Sequence, residues 1–424
     1  MTRRLAPLLL LASSVHADPI AITGAEVWTN TADAPVRNAT VVISGGRIVS
    51  IQPALSPPPS ARVIDAAGRV VTPPLVAAAT QIGLVEVASA SDTDDRAVHS
   101  GPLGAAFDVS LGVDANHLTV EQARVAGVAR ALVFPDPAGN GVFAGWAARL
   151  NLAERTDIVE RARVALFVTA GGAAAHVAGG SRAAIWGQVH NALSEARSAR
   201  ASSPFKPRDQ LLNHADLEAI TPVLEKRVPL AVVAQREADI RQAVAAGKDF
   251  GISVVIVGGA EAWRAATLLV SRHVPVILDP LDDLPVSYDS VGARRDNARI
   301  LADAGVTIGF MVSGQGIYLN YNVGQALREG AGIAVANGLP YGQALRAITQ
   351  NAARIWGDAA PAGTLAPGAA ADLVVWDGDP LEPTTAPVAI FLNGTEISLR
   401  SRQTLLRDRY RPASEEGRSA PAGR

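Results

Sequence analysis

The side chains that could do chemistry are few, and one acidic cluster stands out among them. Asp279, Asp282 and Asp283 follow the short apolar run at residues 276–278. Carboxylates grouped at the end of a strand can bind a cation or act as general acid and base. Helix capping and loop solvation account for the same residues without chemistry. We take Asp279 and Asp283 as the candidate catalytic residues.

Metal-binding and nucleophilic residues are scarce. The sequence has no cysteine and seven histidines, which removes disulfides, thiolate zinc sites and cysteine nucleophiles. No histidine has a histidine partner two or four residues away, although Asp114 and His117 could share one metal. Solvent-facing or capping histidines explain this pattern as well. No Gly-x-Ser-x-Gly elbow supports a serine hydrolase.

The composition of the chain limits the kinds of molecule that it is expected to bind. The chain has 424 residues, 48% of them hydrophobic, which is enough for a sizeable core. Its formal net charge of −2 and its 18% of charged residues argue against a nucleic acid or an acidic membrane as partner. We expect a small-molecule ligand or substrate and no membrane span. The sequence leaves open whether the protein forms a homo-oligomer.

The N-terminus is typical of an export signal. Arg3 and Arg4 precede a short apolar stretch at residues 5–12, and Val15 and Ala17 are the small residues of a cleavage site before Asp18. The apolar stretch is too short to span a bilayer. Residues 1–17 are therefore predicted to be a signal peptide, and the mature protein to be periplasmic or secreted.

Both ends of the mature chain have the pattern of β-structure. Residues 20–71 contain four short β-prone runs with a Gly45-Gly46 turn signal, and residues 362–397 contain two more with an Asn393-Gly394 turn signal. We expect residues 18–72 and 361–411 to share one small β-sandwich. The small, polar residues 412–424 are predicted to be disordered.

Between these ends, short buried runs alternate with helical stretches. Seven runs are apolar on both faces, as buried parallel strands are. They lie at residues 75–79, 131–134, 164–168, 230–234, 254–257, 276–278 and 306–311. Repetition of strand and helix over residues 73–360 predicts an α/β fold, most simply a (β/α)8 barrel. The pattern does not resolve the eighth strand, for which the Gly-rich residues 171–180 are the candidate position, and a doubly wound open sheet is the alternative.

Residues 363–377 resemble a signature of the amidohydrolase superfamily, Gly-x-Leu-x-Pro-Gly-x-x-Ala-Asp-Leu-Val. The N-terminal hairpin at residues 42–48 and the barrel-closing helix at residues 348–353 are similar to those of the same family, as is the pocket loop at residues 140–145. The resemblance covers residues 20–411 and is closest to the imidazolonepropionase-related subset. It implies a barrel hydrolase that acts on non-peptide carbon–nitrogen bonds with a divalent metal, usually zinc.

The positions of the family's metal ligands hold unsuitable residues here. The His-x-His pair of strand one falls on Ala79 and Gln81, the strand-five histidine on Val233, the strand-six histidine on Gly258 or its neighbour, and the strand-eight aspartate on Ser313. Alanine, valine and glycine offer a metal no side-chain donor. Residues expected to line the pocket at these positions are Ala79, Gln81, Val233, Gln235, Gly258 and Ser313.

Two functions follow from these observations. One is an exported hydrolase of non-peptide carbon–nitrogen bonds whose metal site has been lost. The other is a catalytically silent ligand-binding or scaffold protein on the same fold. No cofactor is predicted, because the ligands for the family's zinc are missing.

Overall fold

The computed structural model describes most of the chain. The described residues are 18–87, 90–137, 141–153, 156–200, 212–312, 321–358 and 362–411. The predicted signal peptide and the predicted C-terminal tail lie outside these ranges. Within them, no helix combines the length and the apolar character that crossing a bilayer requires.

The N-terminal part forms five short strands. They are β1 (Ile20–Val27), β2 (Val36–Ser44), β3 (Arg47–Pro53), β4 (Arg62–Asp65) and β5 (Val70–Thr72). β1 pairs antiparallel with β2 and parallel with β4 and β5. Gly45 and Gly46 have φ angles of 57° and 74°, so the predicted Gly-Gly turn joins β2 to β3.

A second sheet of eight strands forms the body of the molecule. Its strands are β6 (Leu75–Thr80), β7 (Val128–Val133), β8 (Phe143–Asn151), β9 (Val159–Thr169), β10 (Leu230–Ala234), β11 (Val254–Gly258), β12 (Val276–Leu278) and β13 (Ile308–Phe310). They lie in sequence order from β6 to β13. A Cβ atom on Gly309 of β13 would lie 3.6 Å from the Cβ of Ala78 in β6, so the sheet nearly closes. The predicted barrel is confirmed.

The eighth strand is β8, and its predicted position in residues 171–180 is wrong. That segment contains a helix, Gly172–Val177. β8 has the sequence Phe-Ala-Gly-Trp-Ala-Ala-Arg-Leu-Asn, with no β-branched residue, so its strand propensity is weak although most of it is buried. It also runs antiparallel to β7 and β9, which breaks the strand–helix alternation. Residues 143–145 of the predicted pocket loop belong to this strand.

Helices flank the barrel strands. They are α1 (Leu118–Val125), α2 (Gly172–Val177), α3 (Arg182–Arg200), α4 (His214–Leu224), α5 (Glu237–Phe250), α6 (Ala266–Ser271), α7 (Asn297–Asp303), α8 (Val323–Ala336), α9 (Tyr341–Ala347), α10 (Gln350–Ile355) and α11 (Arg402–Tyr410). Three short 3-10 helices occur at Ser91–Thr93, Val109–Leu111 and Ala262–Ala265. α5 ends at Gly251, whose φ of 64° is the left-handed conformation that commonly terminates helices.

The C-terminal strands complete the first sheet. They are β14 (Leu373–Trp376), β15 (Pro387–Leu392) and β16 (Thr395–Glu396), and β14 pairs antiparallel with β5. Ile48 of β3 and Phe391 of β15 lie far apart along this sheet yet belong to one buried cluster. The Ala371 amide donates to the Gly46 carbonyl at 2.9 Å. The sheet that was predicted from both chain ends therefore exists. It is the first sheet, and it encloses a hydrophobic core of its own.

Candidate functional site

Gln81 lies at the carboxyl end of β6, where the chain leaves the barrel. Its side chain is fully buried. Its Nε2 donates to Oδ1 of Asp136 at 2.6 Å, and its Oε1 accepts from Nη1 of Arg96 at 2.9 Å. A buried amide with both ends hydrogen-bonded is fixed in one orientation.

Arg96 joins Gln81 to two carboxylates. Its Nε and Nη2 donate to the two oxygens of Asp94 at 2.8 and 2.6 Å, which is the bidentate geometry of a strong pair. Its Nη1 lies 3.4 Å from Oδ2 of Asp136. The four residues Gln81, Asp94, Arg96 and Asp136 form one connected group, called the Arg96 network below.

The two carboxyl groups of the Arg96 network differ in their titration. The hydrogen bond from Arg96 lowers the pKa of Asp94 below its ordinary value. Burial raises the pKa of Asp136, although Arg96 and the hydrogen bond from Gln81 act in the other direction. The Asp136 side chain is still 38% exposed, so solvent or a ligand can reach it. Asp136 is therefore suited to exchange a proton.

The backbone holds these residues together at the ends of β6 and β7. The Phe134 amide donates to the Thr80 carbonyl at 3.2 Å, which extends the pairing of the two strands. The Asp136 amide donates to the Arg96 carbonyl at 3.0 Å. The second bond places the segment carrying Arg96 over the end of β7.

Gln235 and Gly258 meet at the ends of β10 and β11. Oε1 of Gln235 accepts from the Ala260 amide at 2.9 Å. A Cβ atom on Gly258 would lie 2.5 Å from Nε2 of Gln235, and Gly258 has a φ of 97°. Only glycine fits there, so the amide of Gln235 covers the end of β11.

Two other predicted pocket positions, Ala79 and Val233, contribute no polar side chain. Ala79 is buried within β6, and Val233 lies within β10. Ser313 lies outside the described residues. Among the residues described, no group of three or more histidine, aspartate or glutamate side chains could hold a metal ion.

The acidic cluster after β12 is held in a turn. Oδ1 of Asp279 accepts from the Leu281 amide at 2.9 Å. Oδ2 of Asp283 lies 3.0 Å from Nε of Arg295. Burial, then the charges of Asp279 and Asp283, raise the pKa of Asp282 to about 6. Asp279 and Asp283 stay predictions, and Asp282 is the member of the cluster whose pKa is raised.

Sequence reasoning missed Asp94, Arg96 and Asp136, and it named Asp282 in the acidic cluster without taking it as a candidate. Asp136 follows the buried strand β7 closely, as Gln81 follows β6, and that position was the signal that could have drawn attention to it. Asp94 and Arg96 lie in a polar stretch after β6 without any motif. Their pairing depends on a loop conformation that spacing does not specify.

Comparisons with known proteins agree with this architecture. Residues 232–399 match the model of the Amidohydrolase family. No curated protein sequence matches the chain. A solved amidohydrolase from Thermotoga maritima MSB8 is 22% identical with a TM-score of 0.78, over 90% of this chain and all of that one.

Two further structures share the fold at lower similarity. An adenosine deaminase from Xanthomonas campestris with bound zinc is 16% identical with a TM-score of 0.53, over 92% of this chain and 96% of that chain. A triazine hydrolase from Arthobacter aurescens is 15% identical with a TM-score of 0.52, over 92% and 98%. The match of residues 232–399 to this family model confirms the resemblance seen in the sequence, and the solved structures show the same fold.

Proposed function

We propose that this protein hydrolyses carbon–nitrogen bonds other than peptide bonds, and that it does so without a metal ion. The observation that carries the proposal is the pair of hydrogen bonds from Gln81 to Arg96 and Asp136. Gln81 occupies a position at which the resemblance implies a histidine ligand. The superfamily and the hydrolases that share the fold support the reaction class.

The residues at this end of the barrel do not fit a divalent metal. Ala79, Val233 and Gly258 have no donor atom, and the oxygen of Gln81 is already engaged by Arg96. A guanidinium ion 2.9 Å from that oxygen would repel a second cation. The guanidinium of Arg96 lies where the resemblance implies a metal ion. Its positive charge balances the carboxylate of Asp94, so that no metal is needed for this.

Asp136 is the residue best placed to move a proton. In the proposed reaction its carboxylate accepts a proton from a water molecule, whose oxygen forms a bond to the substrate carbonyl carbon. The carbon–nitrogen bond then breaks, and Asp136 returns the proton to the departing nitrogen. Gln81 holds Oδ1 of Asp136, which leaves Oδ2 for this exchange. The raised pKa of Asp136 favours the return step.

The experiment is a turnover screen with linear and cyclic amides on purified wild-type protein and Asp136→Asn. We expect at least one cyclic or linear amide to be hydrolysed, with a loss of about 100-fold or more in Asp136→Asn. Asp157→Asn, a change at an exposed aspartate, is the matched control and should retain wild-type turnover. Equal activity in both variants would remove Asp136 from the mechanism.

A second candidate is a ligand-binding protein without catalysis. It is favoured by the engagement of Arg96, which donates to Asp94 and Gln81 and lies close to Asp136, so that little of its hydrogen-bonding capacity remains for a reacting oxygen. Amides that raise the melting temperature of the protein but are never hydrolysed would support this candidate over the first.

Export remains part of the proposal. The residues that support it, 1–17, lie outside the described ranges, and the charged, apolar and small-residue pattern alone supports it. N-terminal sequencing of protein from the native host should find Asp18 as the first residue. An intact Met1 would contradict export through this segment.

A further inference from the structure

A cavity of about 520 Å³ opens at the end of the barrel opposite to Gln81. Its lining comes from the first half of β9, from the residues around the starts of β10, β11 and β12, and from the ends of α5 and α10. The floor is apolar and includes Val228, Val254, Val274 and Trp356, all of which are buried. This cavity, called the basic cavity below, is separate from the proposed hydrolytic site.

The side chains around the basic cavity are strongly cationic. Six of its lining residues are arginine or lysine. No residue of the lining is an aspartate or a glutamate. The six are Arg161, Lys226, Arg227, Lys248, Arg272 and Arg354. The whole sequence contains only three lysines, and two of them are here. Because the net charge of the chain is −2, the concentration of cations is local.

Few acidic side chains lie close enough to these six residues to neutralise their charges. Nε of Arg227 donates to Glu225 at 2.6 Å. In the part of the chain that the structure describes, the other five have no acidic side chain within ion-pair distance. Elsewhere in the protein, by contrast, Arg149 forms an ion pair with Glu160.

Helix ends explain part of the arrangement. Lys226, Lys248, Arg272 and Arg354 lie in the last turn of a helix or just after it, where the helix dipole favours a cation. Each helix end contributes roughly −0.5 charge, so the four ends, α4, α5, α6 and α10, offset about two of the five unpaired charges. An excess of about three positive charges remains for a ligand.

We propose that the basic cavity binds a small molecule that carries several phosphate groups. Guanidinium and ammonium groups are the side chains that recognise phosphate oxygens, and a ligand with three or more negative charges matches the local excess. The apolar floor would contact any uncharged part of such a ligand. Inorganic polyphosphate and a nucleoside triphosphate both carry such phosphate groups. Only the nucleoside triphosphate has an uncharged part that could contact the apolar floor.

The test measures binding of sodium tripolyphosphate to the purified full chain by calorimetry, at low and at high salt. We expect saturable binding that weakens as salt increases, because the contacts are exposed charges. In Lys248→Gln/Arg272→Gln the dissociation constant should rise by about tenfold or more. The control Arg402→Gln/Arg411→Gln removes the same charge from an exposed helix and its end, and should bind like the wild type.

A parallel titration with ATP in metal-free buffer separates the two sources. Tighter binding of ATP than of tripolyphosphate would indicate a nucleotide that uses the apolar floor, and the reverse order would indicate the inorganic chain. If the double variant fails to fold, Arg161→Gln supplies the same comparison from an exposed position on β9. Absence of saturable binding of either compound, or equal weakening in the control variant, would overturn the proposal.

Discussion

Oε1 of Gln81 accepts a hydrogen bond from Nη1 of Arg96 at 2.9 Å, at the carboxyl end of the first barrel strand. This contact places an organic cation beside a position where the superfamily resemblance implies a metal ligand. Arg96 is bound in turn by both oxygens of Asp94. We infer that the positive charge at this end of the barrel comes from Arg96 and not from a bound metal ion.

The first prediction concerns the contribution of Arg96 to stability. Arg96→Met should lower the free energy of unfolding at pH 7 by about 2–4 kcal/mol, because it leaves the mostly buried carboxylate of Asp94 without its partner. Urea denaturation measures the loss. Arg407→Met removes an exposed arginine paired only with its neighbour Asp408, and should change stability by less than about 0.5 kcal/mol. A similar small effect in Arg96→Met would show that the Arg96 network does not stabilise the fold.

The second prediction concerns the pH dependence that Asp282 causes. Its pKa is raised from 3.8 to about 6 in the folded protein, so between these values the folded state binds more protons than the unfolded state. The free energy of unfolding should therefore decrease as pH rises from about 4 to 6, and this contribution should be constant above that range.

Asp282→Asn tests this directly. The variant should be more stable than the wild type at pH 7 by about 1–3 kcal/mol, and the difference should disappear near pH 4. Asp157→Asn, at an exposed aspartate, is the control and should show no such trend. Stability curves of wild type and Asp282→Asn that run parallel from pH 4 to pH 7 would contradict the raised pKa.

The third prediction concerns the end of β11. Gly258→Ala should lower the free energy of unfolding by about 1–3 kcal/mol, because alanine resists a φ of 97° and its Cβ would displace the Gln235 amide. Gly187 offers a matched control, because a Cβ atom added at this position of α3 would lie in open space. Gly187→Ala should be neutral or stabilising by up to about 1 kcal/mol. Equal stability in the two variants would show that Gly258 is not conformationally required.

Much of the fold could be predicted because its signals are local. Seven buried runs are continuous and rich in β-branched residues, and the Gly45-Gly46 and Asn393-Gly394 pairs specify turns with positive φ. β8 could not be predicted in the same way, since alanine, glycine and arginine in Phe143–Asn151 have weak strand propensity. Its strand conformation depends on the pairing with β7 and β9.

The candidate site was less predictable than the fold. Gln81 could be placed through the resemblance, which also indicated that the metal ligands were replaced. Arg96 and Asp136 are 15 and 55 residues away from Gln81, and only the folded chain brings the three together. The titration of Asp282 likewise depends on burial and on two neighbouring charges, which no sequence pattern reports.

Elemental analysis of the purified protein decides whether this barrel works without a metal ion, as we propose. The protein should be expressed with zinc, iron and manganese in the medium, and its metal content and amide turnover measured before and after chelation. We predict that the protein holds less than about 0.1 metal ion per chain. We also predict that chelation does not change its amide turnover. About one zinc, iron or manganese per chain, lost on chelation together with turnover, would contradict the proposal.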